Sequence, residues 1–174
     1  MTNSAQEFGS FGYRVAGVLI NDGRILLFSD ELVDFWVIPG GGVKLFESSE
    51  QAIIREFQEE IGVTIAVERL LWVVENSFTF DNQRVHGIEL TFLVKSLDSE
   101  EKLAQDEFFG YEKDLQAIGG RYKNIENLKM NFRWFHPTEL DSITIQPKIY
   151  NDELKNIPDY PKLLRNLEIE NKKL

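Results

Sequence analysis

The chain has 174 residues, 43% of them hydrophobic and 28% charged, with 29 acidic against 19 basic residues and a formal net charge of -10. That acidic excess excludes a long nucleic acid gripped through its phosphates, a mode that needs a basic footprint, but leaves room for a small nucleotide whose charge a cation screens. The absence of cysteine excludes disulfides, thiolate metal sites and cysteine nucleophiles.

In chain order, Tyr13 to Ile20 and Ile25 to Phe28 are apolar and β-prone, and the Asp22-Gly23 pair between them signals a tight hairpin turn with positive φ. Phe35 to Ile38 reads as another short strand, ended by Pro39 and a loop of three glycines, Gly40 to Gly42. From Ser48 to Ile61 the period changes: Ile53, Phe57 and Ile61 recur every four residues, with Ile54 beside them, as on a helix. Ser48 and Gln51 have the spacing of a capping box, and Gly62 is a natural stop. Strand patterns return in Val63 to Val67, Leu70 to Val74, Phe78 to Phe80 and His86 to Val94, with a second hairpin turn expected at Asp81 to Gln83.

The stretch from Asp98 to Lys129 exceeds normal connection lengths and is expected to be either a mobile segment or an insertion with some helix that borders a functional site. Asn131 to Phe135 suits a last strand, His136 to Leu140 a structural helical turn, and Pro147 to Leu154 a short helix. The residues from Pro158 to Leu174 read as a charged tail, interrupted early by Pro158 and Pro161. At about 150 residues per domain, the length predicts one domain over 1–174. The polar start, Met1 to Ser10, has no basic-then-apolar signal pattern, and no apolar run approaches the ~18 residues of a membrane helix. A cytoplasmic protein without a membrane partner is the expectation. A homodimer is compatible with the chain but not readable from it.

Four carboxylates, Glu47, Glu56, Glu59 and Glu60, carry the chemistry. At i, i+3 and i+4 a helix sets Glu56, Glu59 and Glu60 on one face, where like charges oppose one another and weaken the helix. A cation resolves that conflict, and hard divalent ions such as Mg²⁺ prefer carboxylate oxygens and bridge to phosphates. Taken alone, such a cluster is more often a solvated acidic face. The spacing Gly41, five residues, Glu47, seven residues, then Arg55-Glu56-Phe57-Gln58-Glu59-Glu60-Ile61-Gly62-Val63 decides against that reading. It resembles the Nudix box at every fixed position, and Trp36 to Gly40 is similar to the family's usual run into it. Phe57 stands where an aliphatic residue is normal, Phe46 where glycine is frequent, and Lys44 where an acid is frequent.

The resemblance implies an α/β fold, an α/β/α sandwich with a mixed β-sheet. It also implies hydrolysis of a nucleoside diphosphate linked to another moiety, by water attack on phosphorus. Glu56, Glu59 and Glu60 would ligate Mg²⁺ (or Mn²⁺) together with the Gly40 carbonyl, and Glu47 and Arg55 would hold those acids in place. The general base would be Glu56 or an acid beyond the box, with Glu89, Asp106, Glu107 and Glu112 as candidates. The substrate would be a nucleoside triphosphate or a nucleotide sugar such as ADP-ribose. Arg84, His86, Phe109 and Tyr111 are the substrate-binding candidates. The other aromatics, Phe35, Trp72, Phe78, Phe80 and Trp134, are more often core. A catalytically silent nucleotide-binding or regulatory domain is the alternative. Such domains generally lose box acids, and this chain retains them all.

Overall fold

The computed structural model describes residues 10–80, 83–97, 101–112 and 127–168. Strand β1 (Ser10–Asn21) turns back into β2 (Arg24–Asp30) through Asp22 and Gly23, whose φ angles of 49° and 73° are those of a tight hairpin. β3 (Gly40–Gly42) pairs antiparallel with Arg14 to Ala16 of β1. Helix α1 (Ser49–Glu56) continues into a wide helical turn, Phe57–Ile61. β4 (Ile65–Phe80) and β5 (Gln83–Ser96) pair antiparallel, β6 (Glu107–Glu112) and β7 (Leu128–Phe135) likewise, and α2 (Tyr150–Glu153) and β8 (Lys162–Leu167) follow. The sheet order is β6-β7-β2-β1-β5-β4-β8, with β1–β5 and β4–β8 parallel.

The central strands are apolar on both sides because both faces of the sheet are covered. Val15, Leu19 and Leu26 pack with Ile53, Phe57 and Ile61 of the helical segment. The alternate residues Ala16, Val18, Ile25 and Leu27 pack with Leu140, Ile145, Tyr150 and Leu154 on the opposite face. The α/β/α layering expected from the sequence is therefore present, with a mixed sheet in the middle.

Several expectations change. Phe35 to Ile38 is no strand: consecutive residues pair with different partners, Trp36 with Ile145 and Val37 with Phe28, so only single bridges form. The glycine run, expected as a loop, is the short strand β3. The runs at Val67 and Leu70 belong to one strand, β4, whose register shifts at Val67/Arg69 and Leu70/Trp72 mimic a break in the pattern. The expected turn residues 81–82 lie outside the described residues, and so do the Phe80 side chain and residues 113–126. The described part of the 98–129 stretch has a 3₁₀ turn (Glu101–Ala104), in line with the helix expected there, and a strand, β6, that was not expected. The charged tail contains β8, an edge strand in which only Leu164 is buried, so its periodicity is faint. Pro161 stands just ahead of it, where a missing donor is tolerated.

Candidate active site

Local chemistry starts α1 where the sequence indicates. The Gln51 amide donates to Ser48 Oγ at 3.2 Å and the Ser48 amide donates to Gln51 Oε1 at 2.9 Å, closing the capping box. Ile53, Phe57 and Ile61 are buried against the sheet, whereas Ile54 is exposed at the helix margin. After Glu56 the helix widens, and the amides of Gly62 and Val63 both donate to the Phe57 carbonyl, at 3.0 and 3.4 Å. Gly62, with φ 77°, ends it. Such widened turns are frequent at functional sites.

That geometry divides the acids. Glu56 and Glu60 are 6% and 5% exposed, and Glu112 reaches them from β6. One oxygen from each of the three lies within 4.8 Å of the others. Glu59 is half-exposed and sits apart, accepting from Arg55 Nη1 at 2.9 Å, with Lys44 Nζ 3.8 Å away. Arg55 organises the remainder. Its Nε and Nη2 donate to the two oxygens of Glu47 at 2.7 and 2.9 Å, Nη1 donates to Glu56 at 2.7 Å, and Nη2 also donates to the Gly42 carbonyl at 3.0 Å.

The backbone closes on the acids from two sides. A Cβ at Gly41 would stand 2.3 Å from the Glu56 carboxyl carbon, and one at Gly110 of β6 would stand 2.2 Å from the Glu60 carbonyl. Only residues without side chains allow that approach.

Burial raises the Glu60 carboxyl well above its ordinary range; the charges of Glu56 and Glu112 add to this, and Arg14 opposes it. Glu56 is also raised, mainly by desolvation and against the pull of Arg55. Glu47 is lowered, chiefly by its bond to Arg55, and Arg55 is raised, chiefly by Glu47. Oε2 of Glu60 is buried without a hydrogen-bond partner, which is costly for a carboxylate. An all-oxygen set of three crowded acids, one atom of it unsatisfied, fits a hard divalent cation.

Beyond the box, the four base candidates separate. Glu112 lies in the acidic cluster. Glu89 is engaged by Tyr150, Thr91 and Arg14, Asp106 is exposed and paired with Arg24 at 2.6 Å, and Glu107 lies 3.5 Å from Arg133. His86 is half-exposed, 3.5 Å from Glu75, and Arg84 is exposed two residues earlier on β5. Phe109 and Tyr111 alternate with Phe108, Gly110 and Glu112 along β6, so they face away from the acids, and Lys129 Nζ sits 3.6 Å from the Phe109 ring. Among its described residues, the 98–129 stretch therefore meets the acidic cluster through Gly110 and Glu112, and Phe109 and Tyr111 face the other way. Trp72 and Trp134 are core, and Phe35 and Phe78 are half-buried. His136 caps the 3₁₀ turn Pro137–Ser142, as expected of a structural residue.

Sequence reasoning missed Arg14, whose Nη2 donates to the Gly40 carbonyl at 3.4 Å. Its signal was available: it is the one charged residue in the run Tyr13 to Ile20. Tyr150, by contrast, looks like any core aromatic.

The family model described as NUDIX domain matches residues 11–157. An ADP-ribose pyrophosphatase from Methanocaldococcus jannaschii is 32% identical over 102 residues, 55% of this chain and 59% of that protein. A diphosphoinositol polyphosphate phosphohydrolase 2 from Mus musculus is 28% identical over 98 residues, 56% of this chain and 55% of that protein. The chain thus spans little more than half the length of these curated relatives. The crystal structure of a MutT NUDIX hydrolase from Burkholderia pseudomallei covers 82% of this chain and 95% of its own at 23% identity, with a TM-score of 0.55. That of a UDP-X diphosphatase covers 88% of this chain and 64% of its own at 19% identity, with a TM-score of 0.54. These structural likenesses concern the fold, and the family model, matched over most of the chain and including every box residue described above, shows that the chain belongs to the NUDIX domain family.

Proposed function

We propose that the chain is a Mg²⁺-dependent hydrolase that cleaves the diphosphate of a small nucleoside diphosphate derivative, ADP-ribose foremost. The observation that carries this reading is the Glu56, Glu60 and Glu112 cluster with its unsatisfied Glu60 oxygen. These three acids would hold the ion with the Gly40 carbonyl, and Mn²⁺ would substitute. Glu59, tied to Arg55 and Lys44, forms the outer rim of the site. A divalent cation bound there supplies charge neutralisation for the diphosphate and acidity for the attacking water.

The protein's own groups do the rest. Oε1 of Glu56 is occupied by Arg55, which leaves Oε2 to accept the water's proton as the oxygen attacks phosphorus. Arg55 and Glu47 keep Glu56 in one orientation, so that no reorganisation accompanies proton transfer.

A nucleotide is favoured over a polyphosphorylated ligand because the latter needs many cations around it, and this chain has ten more acids than bases. The silent-domain alternative is weakened by the intact set of box acids. No helix among the described residues is long and apolar enough to cross a membrane. We place the protein in the cytoplasm, where its substrates are free nucleotides.

The test is a panel of ADP-ribose, nucleotide sugars and nucleoside triphosphates, scored for phosphoanhydride cleavage with Mg²⁺ and with chelator. ADP-ribose is expected to give AMP and ribose 5-phosphate only with the metal. Binding without turnover across the whole panel would establish the silent domain instead.

A further inference from the structure

The arm that carries Glu112 is fastened to the helical turn that carries Glu60 at a second place, away from the acids themselves. Nζ of Lys102, in the 3₁₀ turn Glu101–Ala104, donates at 2.6 Å to the carbonyl of Ile61, forty-one positions earlier in the chain. Leu103 beside it is buried in the same core cluster as Ile61 and Phe108, which anchors the 3₁₀ turn. The Lys102 ammonium also lies 6.0 Å from the centre of the Phe108 ring. From there β6 runs on to Gly110, whose bare backbone faces the Glu60 carbonyl, and to Glu112. The carbonyls of two consecutive residues, Glu60 and Ile61, are thus covered by one arm, 101–112, that also delivers the third acid of the cluster.

Helix electrostatics explains why a cation belongs at that point. The last carbonyls of a helix have no partner within it, and its C-terminal end carries partial negative charge. Glu59 and Glu60 stand at that end, and the turn Phe57–Ile61 has no basic residue of its own. Carboxylates at the negative end of a helix oppose its winding. Lys102 supplies from outside the cation that many helices carry in their own last turn. Gly62, at φ 77°, turns the chain away, and Nζ lies 3.7 Å from where a Cβ of Gly62 would stand. The ammonium therefore sits directly over the end of the turn.

We infer that Lys102 is a positioning residue for the metal site: through the Ile61 carbonyl it locks the wide turn against the 101–112 arm, and so keeps Glu60 and Glu112 close enough to share one ion. The inference rests on the metal reading of the Glu56, Glu60 and Glu112 cluster. Lys102 acts on that site only through the backbone, since its bond is to a carbonyl and not to an acid of the cluster.

Three roles for this lysine differ in what its removal does. As a mere positive charge near the acids it would oppose a cation, so its loss would tighten metal binding. As a cap of the fold alone, its loss would lower the melting temperature and leave metal affinity unchanged. As a positioning residue, its loss lets Glu60 and Glu112 drift apart and weakens metal binding, although the charge balance has become more favourable to a cation. The experiment measures Mn²⁺ affinity by electron paramagnetic resonance, well below the melting temperature, and melting in chelator alongside. Lys102→Met keeps the stem over Phe108 and removes the ammonium. It should weaken Mn²⁺ about fivefold to tenfold, at or below the low end of what outer-shell partners of a metal ligand contribute. Its melting temperature in chelator should fall by about 2–4 °C, the value of a lost helix-end cation in a chain of this size. Lys102→Arg retains a charged donor and should bind Mn²⁺ within about twofold of wild type. Equal or tighter Mn²⁺ binding in Lys102→Met, or a Lys102→Arg variant as weak as Lys102→Met, would overturn the inference while wild-type binding leaves the metal reading standing. A wild-type chain that does not bind Mn²⁺ would remove that reading, and this inference with it.

Discussion

Arg55 and Glu47, eight positions apart, meet in a two-point fork, with Nε on Oε1 at 2.7 Å and Nη2 on Oε2 at 2.9 Å. The fork fastens the loop after β3 to the helix, and the Lys44 amide, donating to Oε2 of Glu47 at 3.0 Å, adds a third anchor. Because Arg55 also reaches Glu56, Glu59 and the Gly42 carbonyl, one side chain fixes both strand end and acids.

Arg55→Lys should therefore be far from conservative. An ammonium keeps the charge but cannot span five acceptors set in a planar fork. Loss of the fork in this partly buried setting should lower stability by about 2 kcal/mol and Mg²⁺-dependent turnover by about two orders of magnitude. Urea denaturation and steady-state rates measure the two effects. Near wild-type activity in Arg55→Lys would show that the charge alone matters.

The raised Glu60 and Glu56 carboxyls set a pH dependence. In the metal-free folded chain they retain protons that the unfolded chain has released, so the native state binds more protons. Stability contributed by these groups is fully present below their ordinary value of 4.5 and is lost as pH rises through the raised values. Metal binding requires the ionised acids and expels those protons, so its affinity rises over the same window. Melting temperatures from about pH 5 to about pH 8, with chelator and with about 5 mM Mg²⁺, should diverge as pH rises. A metal-dependent gain that is constant across that range would contradict the assignment of these acids.

What was legible in the sequence is what local chemistry decides. The Asp22-Gly23 hairpin, the Ser48–Gln51 cap and the Gly62 stop each follow from the φ preferences or hydrogen bonds of neighbouring residues. The box grouped Glu56, Glu59 and Glu60 without separating the buried Glu56 and Glu60 from the half-exposed Glu59, and the wide turn after Glu56 left no trace, because Phe57 to Ile61 are ordinary helix formers. Glu112 was one of four equal candidates until β6 pairing brought it to Glu60 from a distant part of the chain. β8 was invisible for the same reason: an edge strand is stabilised by hydrogen bonds to β4, and its own side chains scarcely need a pattern. Tyr150 and Arg14, far apart in sequence, come together through Glu89 only in the folded chain.

Glutamine substitutions among these acids should rank by position in the fold rather than by distance in sequence. Glu60→Gln and Glu112→Gln remove charge from the cluster itself and should reduce Mn²⁺ affinity and turnover by orders of magnitude, as loss of a catalytic acid does. Glu59→Gln, at the half-exposed rim, should cost less than either, and Glu50→Gln, five residues before Arg55 and not one of the box's fixed positions, should be near neutral. Equal activity in Glu50→Gln and Glu60→Gln would make the cluster an ordinary acidic surface.

Strand β6 offers a test in which neighbouring residues have opposite expectations. Phe108, Gly110 and Glu112 face the helical turn, and Phe109 and Tyr111, 52% and 51% exposed, face the other way. A methyl group at Gly110 would stand 2.2 Å from the Glu60 carbonyl and 2.7 Å from the Phe132 ring, both fixed parts of the core. Gly110→Ala should therefore push β6 off the site, lowering stability by about 2–3 kcal/mol and weakening Mn²⁺ binding by displacing Glu112. Phe109→Ala loses only a half-exposed ring and its contact with Lys129, a cost of about 0.5–1 kcal/mol. Tyr111→Ala should be smaller still, with KM unchanged for every nucleotide hydrolysed. The expectation from sequence was the reverse, that these two rings stack on a base and select the substrate. A KM that rises in Phe109→Ala or Tyr111→Ala, with metal affinity intact, would restore that role. Loss of Mn²⁺ binding in Gly110→Ala alone would establish that β6 serves the site through its inward face.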